Sequence, residues 1–176
     1  MKNLWSPWRS KYIETFKEEQ SNSNCIFCEA IDKDSKDLNN LLVRSSNNTI
    51  VMMNLYPYNN GHLMILPKRH VDSLELISVE ESHELIDEII LAEKVLKKIF
   101  DAHGFNVGIN LGRSGGAGID DHIHFHIVPR WNGDTNFMPV FGEVKVISQD
   151  LVETKKKILA GYQELVNKLN HFKIFN

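Results

Sequence analysis

Three of the chain's eight histidines, His122, His124 and His126, occupy every second position in DDHIHFHIVPRW (residues 120–131). Strict alternation reads as a strand over 122–128, with the three imidazoles on one face and Ile123, Phe125 and Ile127 on the other. Same-face neighbours on a strand lie about 6.8 Å apart. Two of the three rings can therefore reach one small metal ion, but a row of three better suits an extended ligand such as a chain of phosphates. A neutral imidazole is a nucleophile and also moves protons near pH 7. Attack on phosphorus gives a phosphoramidate that a second acceptor cleaves, and protonated neighbours stabilise charge on the phosphate oxygens. The plain alternative, polar residues facing solvent, suits one or two such positions better than three. The loop GRSGGAG (112–118) just ahead allows close approach of backbone N–H groups to an anion. It lacks the GK[ST] ending of a P-loop and leads into a strand, so by itself it is a turn. Asp120 and Asp121 cap the entry to the strand rather than form an acid pair, because adjacent strand residues face opposite ways.

The only two cysteines, Cys25 and Cys28, stand in CIFC. That spacing suits a metal or redox pair rather than a structural disulfide.

The elements that must hold these groups are legible in outline. LLVRS (41–45) and TIVMMNL (49–55) read as strands joined by a turn, YPYNNG (56–61) as turn chemistry, and HLMILP (62–67) as a third strand. Residues 79–103 carry the helical period, with Leu85, Ile89, Leu96 and Ile99 on one stripe widened by Ile86, Ala92 and Val95. Ser78 and Glu81 make a capping-box pattern and Gly104 a stop. FNVGINL (105–111) alternates as a strand. A second helix over about 150–170 sets Leu151, Ile158, Tyr162, Leu165 and Leu169 on one side. The pattern is α+β: an antiparallel five-stranded sheet with helices on one face, one long helix and a C-terminal helix. Residues 1–24 form an N-terminal arm, 25–147 the principal domain and 148–176 the C-terminal helix and tail.

At 176 residues the chain is long enough to bury one sizeable core. Its 42% apolar and 24% charged content is ordinary for a globular protein. A net charge of −3 argues against nucleic acid or an anionic membrane as partner, while leaving room for a local anion site. No apolar run approaches the about 20 residues of a membrane span, and MKNLWSPWRSKY lacks the apolar stretch of a secretion signal, so the expected location is cytoplasmic.

HIHFHIV matches the histidine-triad pattern, GHLMILPKRH (61–70) the family's strand-and-turn motif, and CIFC an N-terminal zinc half-site, so Cys25 to Arg130 resembles the HIT superfamily. LWSPWRSKYI, NLYPYNNGHLMILP, HGFNVGINLG and HIVPRWNGDTNF extend the likeness to its bacterial diadenosine tetraphosphate phosphorylase (ATP adenylyltransferase) branch. The resemblance implies a HIT-like fold and specific roles. His124 would be the nucleophile that takes AMP. His126 would contact the scissile phosphate and help the leaving group, and His62 would sit beside His124. Asn110 would contact phosphate, and the turn of Gly116, Ala117 and Gly118 would supply backbone donors. Ile26, Phe27 and Leu55 would form the adenine slot, with Asn54 facing the ribose. Cys25, Cys28, His70 and His122 would bind a structural zinc, which assigns His122 to metal rather than phosphate.

Gly118 and Ile119 stand where many members carry Gln and Ser or Thr, and Asn54 where they carry Asp. The second half of the substrate would then rest on other groups, for which Arg113, Ser114 and Trp131 are the candidates, with Lys68, Arg69 and Arg130 behind them. The implied reaction is nucleotidyl transfer: phosphorolysis of diadenosine tetraphosphate to ADP and ATP through an AMP-histidine intermediate, with nucleotide and inorganic phosphate as partners. Hydrolysis releasing AMP, a non-catalytic zinc-stapled nucleotide-binding module, and a zinc hydrolase using metal-bound water are the alternatives. Relatives of this kind are homodimers, and the helix at 79–103 is the expected contact.

Overall fold

The structure, a computed structural model, describes residues 25–135 and 150–174, the side chains of the last helix as far as position 167. The N-terminal arm 1–24, Leu169 and most of the segment joining the two parts lie outside those described residues. The elements are α1 (Ile26–Ala30), β1 (Leu42–Ser45), β2 (Thr49–Met53), β3 (Leu63–Pro67), α2 (Val79–Phe100), β4 (Gly104–Ile109), β5 (Phe125–Arg130) and α3 (Leu151–Ile174). The five strands form one antiparallel sheet in the order β1-β2-β3-β5-β4.

The two central strands nearest the core, β2 and β3, are buried along their whole length, so both faces of the sheet are covered. Val51, Met53, Leu63, Ile65 and Ile127 point to one face. There they pack with Leu85, Ala92, Val95 and Leu96 of α2 and Ile158 and Tyr162 of α3. Ile50, Met52, Met64 and Leu66 point to the other, where Phe27 and Ala30 of α1 cover them. The long helices lie on one face as expected. The short α1, which follows directly from CIFC, is the cover that periodicity did not reveal, since five residues are too few to show a helical period.

Helix α2 begins as the sequence dictates. Ser78 accepts from the Glu81 N–H and the Glu81 carboxylate accepts from the Ser78 N–H, a complete capping box. Its end differs from expectation. The helix stops at Phe100, and Asp101 takes the left-handed conformation at φ 50°, which Asp tolerates better than most residues. Gly104 is consumed by the sheet instead, paired with Arg130 as the first residue of β4. Ile86 does not widen the buried stripe; it is 53% exposed.

The fifth strand is also displaced. Pairing starts at Phe125, not His122, because β3 offers partners only from Leu63 to Ile65. Beyond that point Pro67 has no N–H to donate, and its carbonyl is taken by a side chain, His122 Nε2, at 2.9 Å. Ahead of the strand, the Ile123 N–H donates to the Val71 carbonyl at 2.7 Å. His126 is opposite Met64 and so faces α1.

Candidate functional site

The histidine row lies under α1. Phe27, fully buried, meets the His122 ring edge-on at 5.4 Å and the His124 ring at 4.9 Å. His122, His124 and His126 are 0%, 5% and 9% exposed, so every ring nitrogen needs a partner or a ligand.

Carbonyl oxygens can only accept, and this sets the protonation of two rings. His124 Nδ1 is 2.9 Å from the His122 carbonyl, so Nδ1 carries the proton and Nε2 keeps its lone pair. His122 Nε2 faces the Pro67 carbonyl, so its Nδ1 is the lone-pair atom, and it faces the cysteines. A backbone donor sets a third ring. The Tyr58 N–H donates to His62 Nδ1 at 3.1 Å. Neutral His62 then carries its proton on Nε2 and donates to His126 Nδ1 at 2.9 Å. Neutral His126 is thereby left with an N–H at Nε2, and that buried nitrogen has no hydrogen-bond partner among the described residues. One lone pair, on His124, and one N–H, on His126, result, with the two rings 4.9 Å apart.

Burial lowers the His124 pKa, against the carbonyl bond that raises it. Burial, and then the neighbouring His124, pushes His126 down to about 4. Both rings are therefore neutral at pH 7.

His124 and His126 open onto a cleft of about 470 Å³. Phe27, Met52 and Met64 are buried beneath it, while Ile26 and Leu55, 47% and 51% exposed, form apolar lips. Asn54 also lines it, its Oδ1 accepting from the Tyr56 N–H at 2.9 Å. A largely apolar slot that also carries an imidazole lone pair and an imidazole N–H suits a flat ring system bearing a phosphate.

Behind the row, Cys25, Cys28, His70 and His122 place four ligand atoms within 4.8 Å of one another. Sulfur-to-nitrogen separations are 3.4 Å for Cys25–His122, 3.3 Å for Cys28–His70 and 3.7 Å for Cys28–His122. Tetrahedral zinc with two sulfurs and two nitrogens requires roughly 3.5 Å for each such edge. Burial, with Cys25 beside it, pushes the Cys28 thiol up to about 11; a bound divalent cation reverses this by favouring the thiolate. The donor set therefore fits a metal ion. Arg69 steadies the turn that carries His70, donating to Glu81 at 2.7 and 3.0 Å and to the Leu76 carbonyl.

A family model described as the HIT domain matches residues 35–133. The chain belongs to the HIT family. It is 39% identical over 159 residues to a protein named AP-4-A phosphorylase from Mycobacterium tuberculosis, covering 89% of this chain and 82% of that one. It is 28% identical over 110 residues to the bis(5'-nucleosyl)-tetraphosphatase [asymmetrical] of Schizosaccharomyces pombe, covering 62% of this chain and 57% of that one. The crystal structure of a zinc-bound histidine triad family protein from Mycobacterium smegmatis aligns with a TM-score of 0.65 at 22% identity. It covers 82% of this chain and 97% of that one, a likeness of fold.

In this HIT chain the structure gathers some of the residues singled out from sequence and separates others. Ile26, Phe27, Asn54, Leu55, His124 and His126 share the cleft. His62 bonds to His126, the ring next to His124 in the row. Asn110 follows the last β4–β5 pair, Ile109 with Phe125, and the register carried one step further sets it opposite His124. Its Nδ2 donates to the Gly116 carbonyl at 3.4 Å. Ser114, Ala117 and Gly118 are on the same loop and, like Asn110 and Gly116, do not line the cleft.

Trp131 is at the far end of β5, where its Nε1 donates to the Phe100 carbonyl at 3.1 Å. Arg113 pairs with Asp120, Arg130 with Asp134, and Lys68 Nζ donates to the Ser46 carbonyl. Sequence reasoning missed Tyr58, whose N–H sets His62 and whose ring stacks on His126 at 5.6 Å. YPYNNG reads only as a turn until its neighbours in space are known.

Proposed function

We propose that the protein is a nucleotidyl transferase that cleaves diadenosine tetraphosphate by phosphorolysis. The supporting observation is that His124, a lining residue of the cleft, bonds through Nδ1 to the His122 carbonyl, which leaves the lone pair on Nε2. The base lies between Ile26, Phe27 and Leu55, with Asn54 toward the ribose. His124 Nε2 attacks the α-phosphorus; the P–O bond to the remaining phosphate chain breaks and ATP leaves, while the His126 Nε2–H binds an oxygen of the scissile phosphate. AMP remains on His124. Inorganic phosphate then attacks the same phosphorus, the P–N bond breaks, and ADP departs from a neutral imidazole. Both steps require His124 to begin neutral, which its burial favours. Identity to the mycobacterial AP-4-A phosphorylase supports this choice among HIT reactions. The likeness to the yeast tetraphosphatase keeps hydrolysis as the second reading, with water in place of phosphate.

Cys25, Cys28, His70 and His122 bind zinc as a closed, structural set; the ion supplies a cross-link among three segments. The protein acts as a homodimer, with the outer face of α2, where Ile86 and Ile90 are exposed, as the contact; light scattering of an Ile86→Glu, Ile90→Glu double variant tests this. Among the described residues no helix is long and apolar enough to cross a membrane.

The reaction is tested with diadenosine tetraphosphate in the presence and absence of phosphate. ADP and ATP formed only with phosphate support phosphorolysis; AMP and ATP formed regardless support hydrolysis. His124→Ala is expected to lower turnover by at least about a thousandfold and to abolish acid-labile labelling by AMP. Unchanged turnover in that variant rejects the covalent role of His124, and absence of turnover in the wild type leaves a binding module.

A further inference from the structure

Two stretches far apart in the chain, YPYNNG (56–61) and PRWNGDT (129–135), meet in space beside the histidine row. Asn59 Nδ2 donates to Asp134 Oδ2 at 2.9 Å and to the Pro129 carbonyl at 3.2 Å, across 75 and 70 residues of sequence. Asp134 is itself immobilised. Its carboxylate accepts from Arg130 Nε at 2.6 Å, Arg130 Nη2 at 2.7 Å and the Trp131 N–H at 3.1 Å. Arg130 continues to Asn106 Oδ1 at 2.7 Å, so the hub is tied to β4 as well. On the loop side, the Asn59 carbonyl accepts from the His62 N–H at 3.2 Å, and its own Oδ1 accepts from the Asn60 N–H at 3.1 Å. The residue next to this clamp is Tyr58, whose N–H reaches His62 Nδ1 and whose ring packs on His62 at 4.6 Å.

We infer that Asn59, clamped by Asp134, is a positioning residue that selects the tautomers of His62 and His126. The consequence of losing it follows from donor counting. With the Tyr58 N–H in place, His62 donates through Nε2 and His126 presents an N–H at its free Nε2. With the loop released, His62 is free to carry its proton on Nδ1. Its Nε2 then accepts from His126 Nδ1, and His126 presents a lone pair. An N–H attracts a phosphoryl oxygen and a lone pair repels it, so the clamp decides the sign of the interaction offered to the substrate. The tautomer claim stands on the hydrogen bonds alone; the catalytic consequence rests on the proposed role of His126.

The test uses the full-length protein labelled with ¹⁵N-histidine. Long-range ¹H–¹⁵N spectra distinguish the two neutral tautomers of each ring. Wild type is expected to show His62 and His126 both protonated on Nε2. Asn59→Ala, and separately Asp134→Ala, which attacks the clamp from the other segment, are expected to move His126 wholly or partly to the Nδ1–H form. In the same variants kcat for nucleotidyl transfer falls by about tenfold or more, while KM stays within about twofold. Folded variants with unchanged tautomers overturn the inference; a tautomer change that leaves kcat intact supports the clamp and overturns the proposed role of the His126 N–H. If wild type transfers no nucleotide, the proposed reaction fails and the spectra alone decide whether the clamp selects the tautomer.

Discussion

His126 is buried, neutral and bonded through one nitrogen only to another neutral ring. Its pKa near 4, set first by desolvation and then by His124, makes the folded state refuse a proton that the unfolded chain accepts below about 6.5. A depressed folded pKa contributes stability that is complete above the unfolded value and is lost as pH falls from about 6.5 toward 4. The full shift corresponds to on the order of 3 kcal/mol. Urea unfolding at pH 7.5, 6.0 and 4.5 is expected to show stability falling across that window, and falling less in His126→Asn. Equal pH slopes in the two proteins reject this account. The three histidines, their spacing and their shared face are legible in the sequence because alternation is local. Which nitrogen holds the proton is not legible for His122 and His126, because the deciding partners, the Pro67 carbonyl and, through His62, the Tyr58 N–H, are distant from them in the chain.

Helix α3 reaches the sheet only by lying close against α2. A Cβ added at Gly161 falls 2.8 Å from Ile99 Cγ2 and 3.0 Å from Val95 Cγ1, both on a packed helix surface. Gly161→Val is therefore expected to cost about 1–3 kcal/mol through overpacking, measured as a lowered midpoint in urea. KM for nucleotide stays unchanged, since the contact is on the sheet face opposite α1. The apolar stripe marks α3 in the sequence, but the role of Gly161 comes from the facing helix. The same helix holds Lys155, buried to 1%, whose ammonium donates to the Asp37 and Asn40 carbonyls at 2.7 and 2.8 Å and so braces the loop beside the cleft. Charged residues read as solvated by default, and this one is buried only because α3 crosses that loop.

At the scale of the molecule, the Cys25, Cys28, His70 and His122 cluster joins the start of α1, the turn after β3 and the approach to β5. The segment ahead of β5 has little ladder pairing of its own, so a bound ion there acts as a staple. Purified protein is expected to hold about one zinc per chain by elemental analysis. A strong chelator, or Cys28→Ser, lowers Tm by several degrees or more, with activity lost in step with folding. Activity abolished at once with Tm unchanged identifies instead a catalytic ion and overturns the structural reading.

The sequence by itself determined the α+β class, the strand count and the cap of α2, each written in period or capping chemistry that acts within a few residues. The apolar residues of the cleft and the set of Cys25, Cys28, His70 and His122 were legible only through the resemblance to the HIT superfamily, because their members are scattered along the chain. The tertiary structure alone decided where β5 begins, that Trp131 packs on the end of α2, and that Asn59 meets Asp134. It also decided that His62 addresses His126. Those outcomes depend on which backbone donors and acceptors remain available once the strands have paired, and strand pairing is a property of the folded chain.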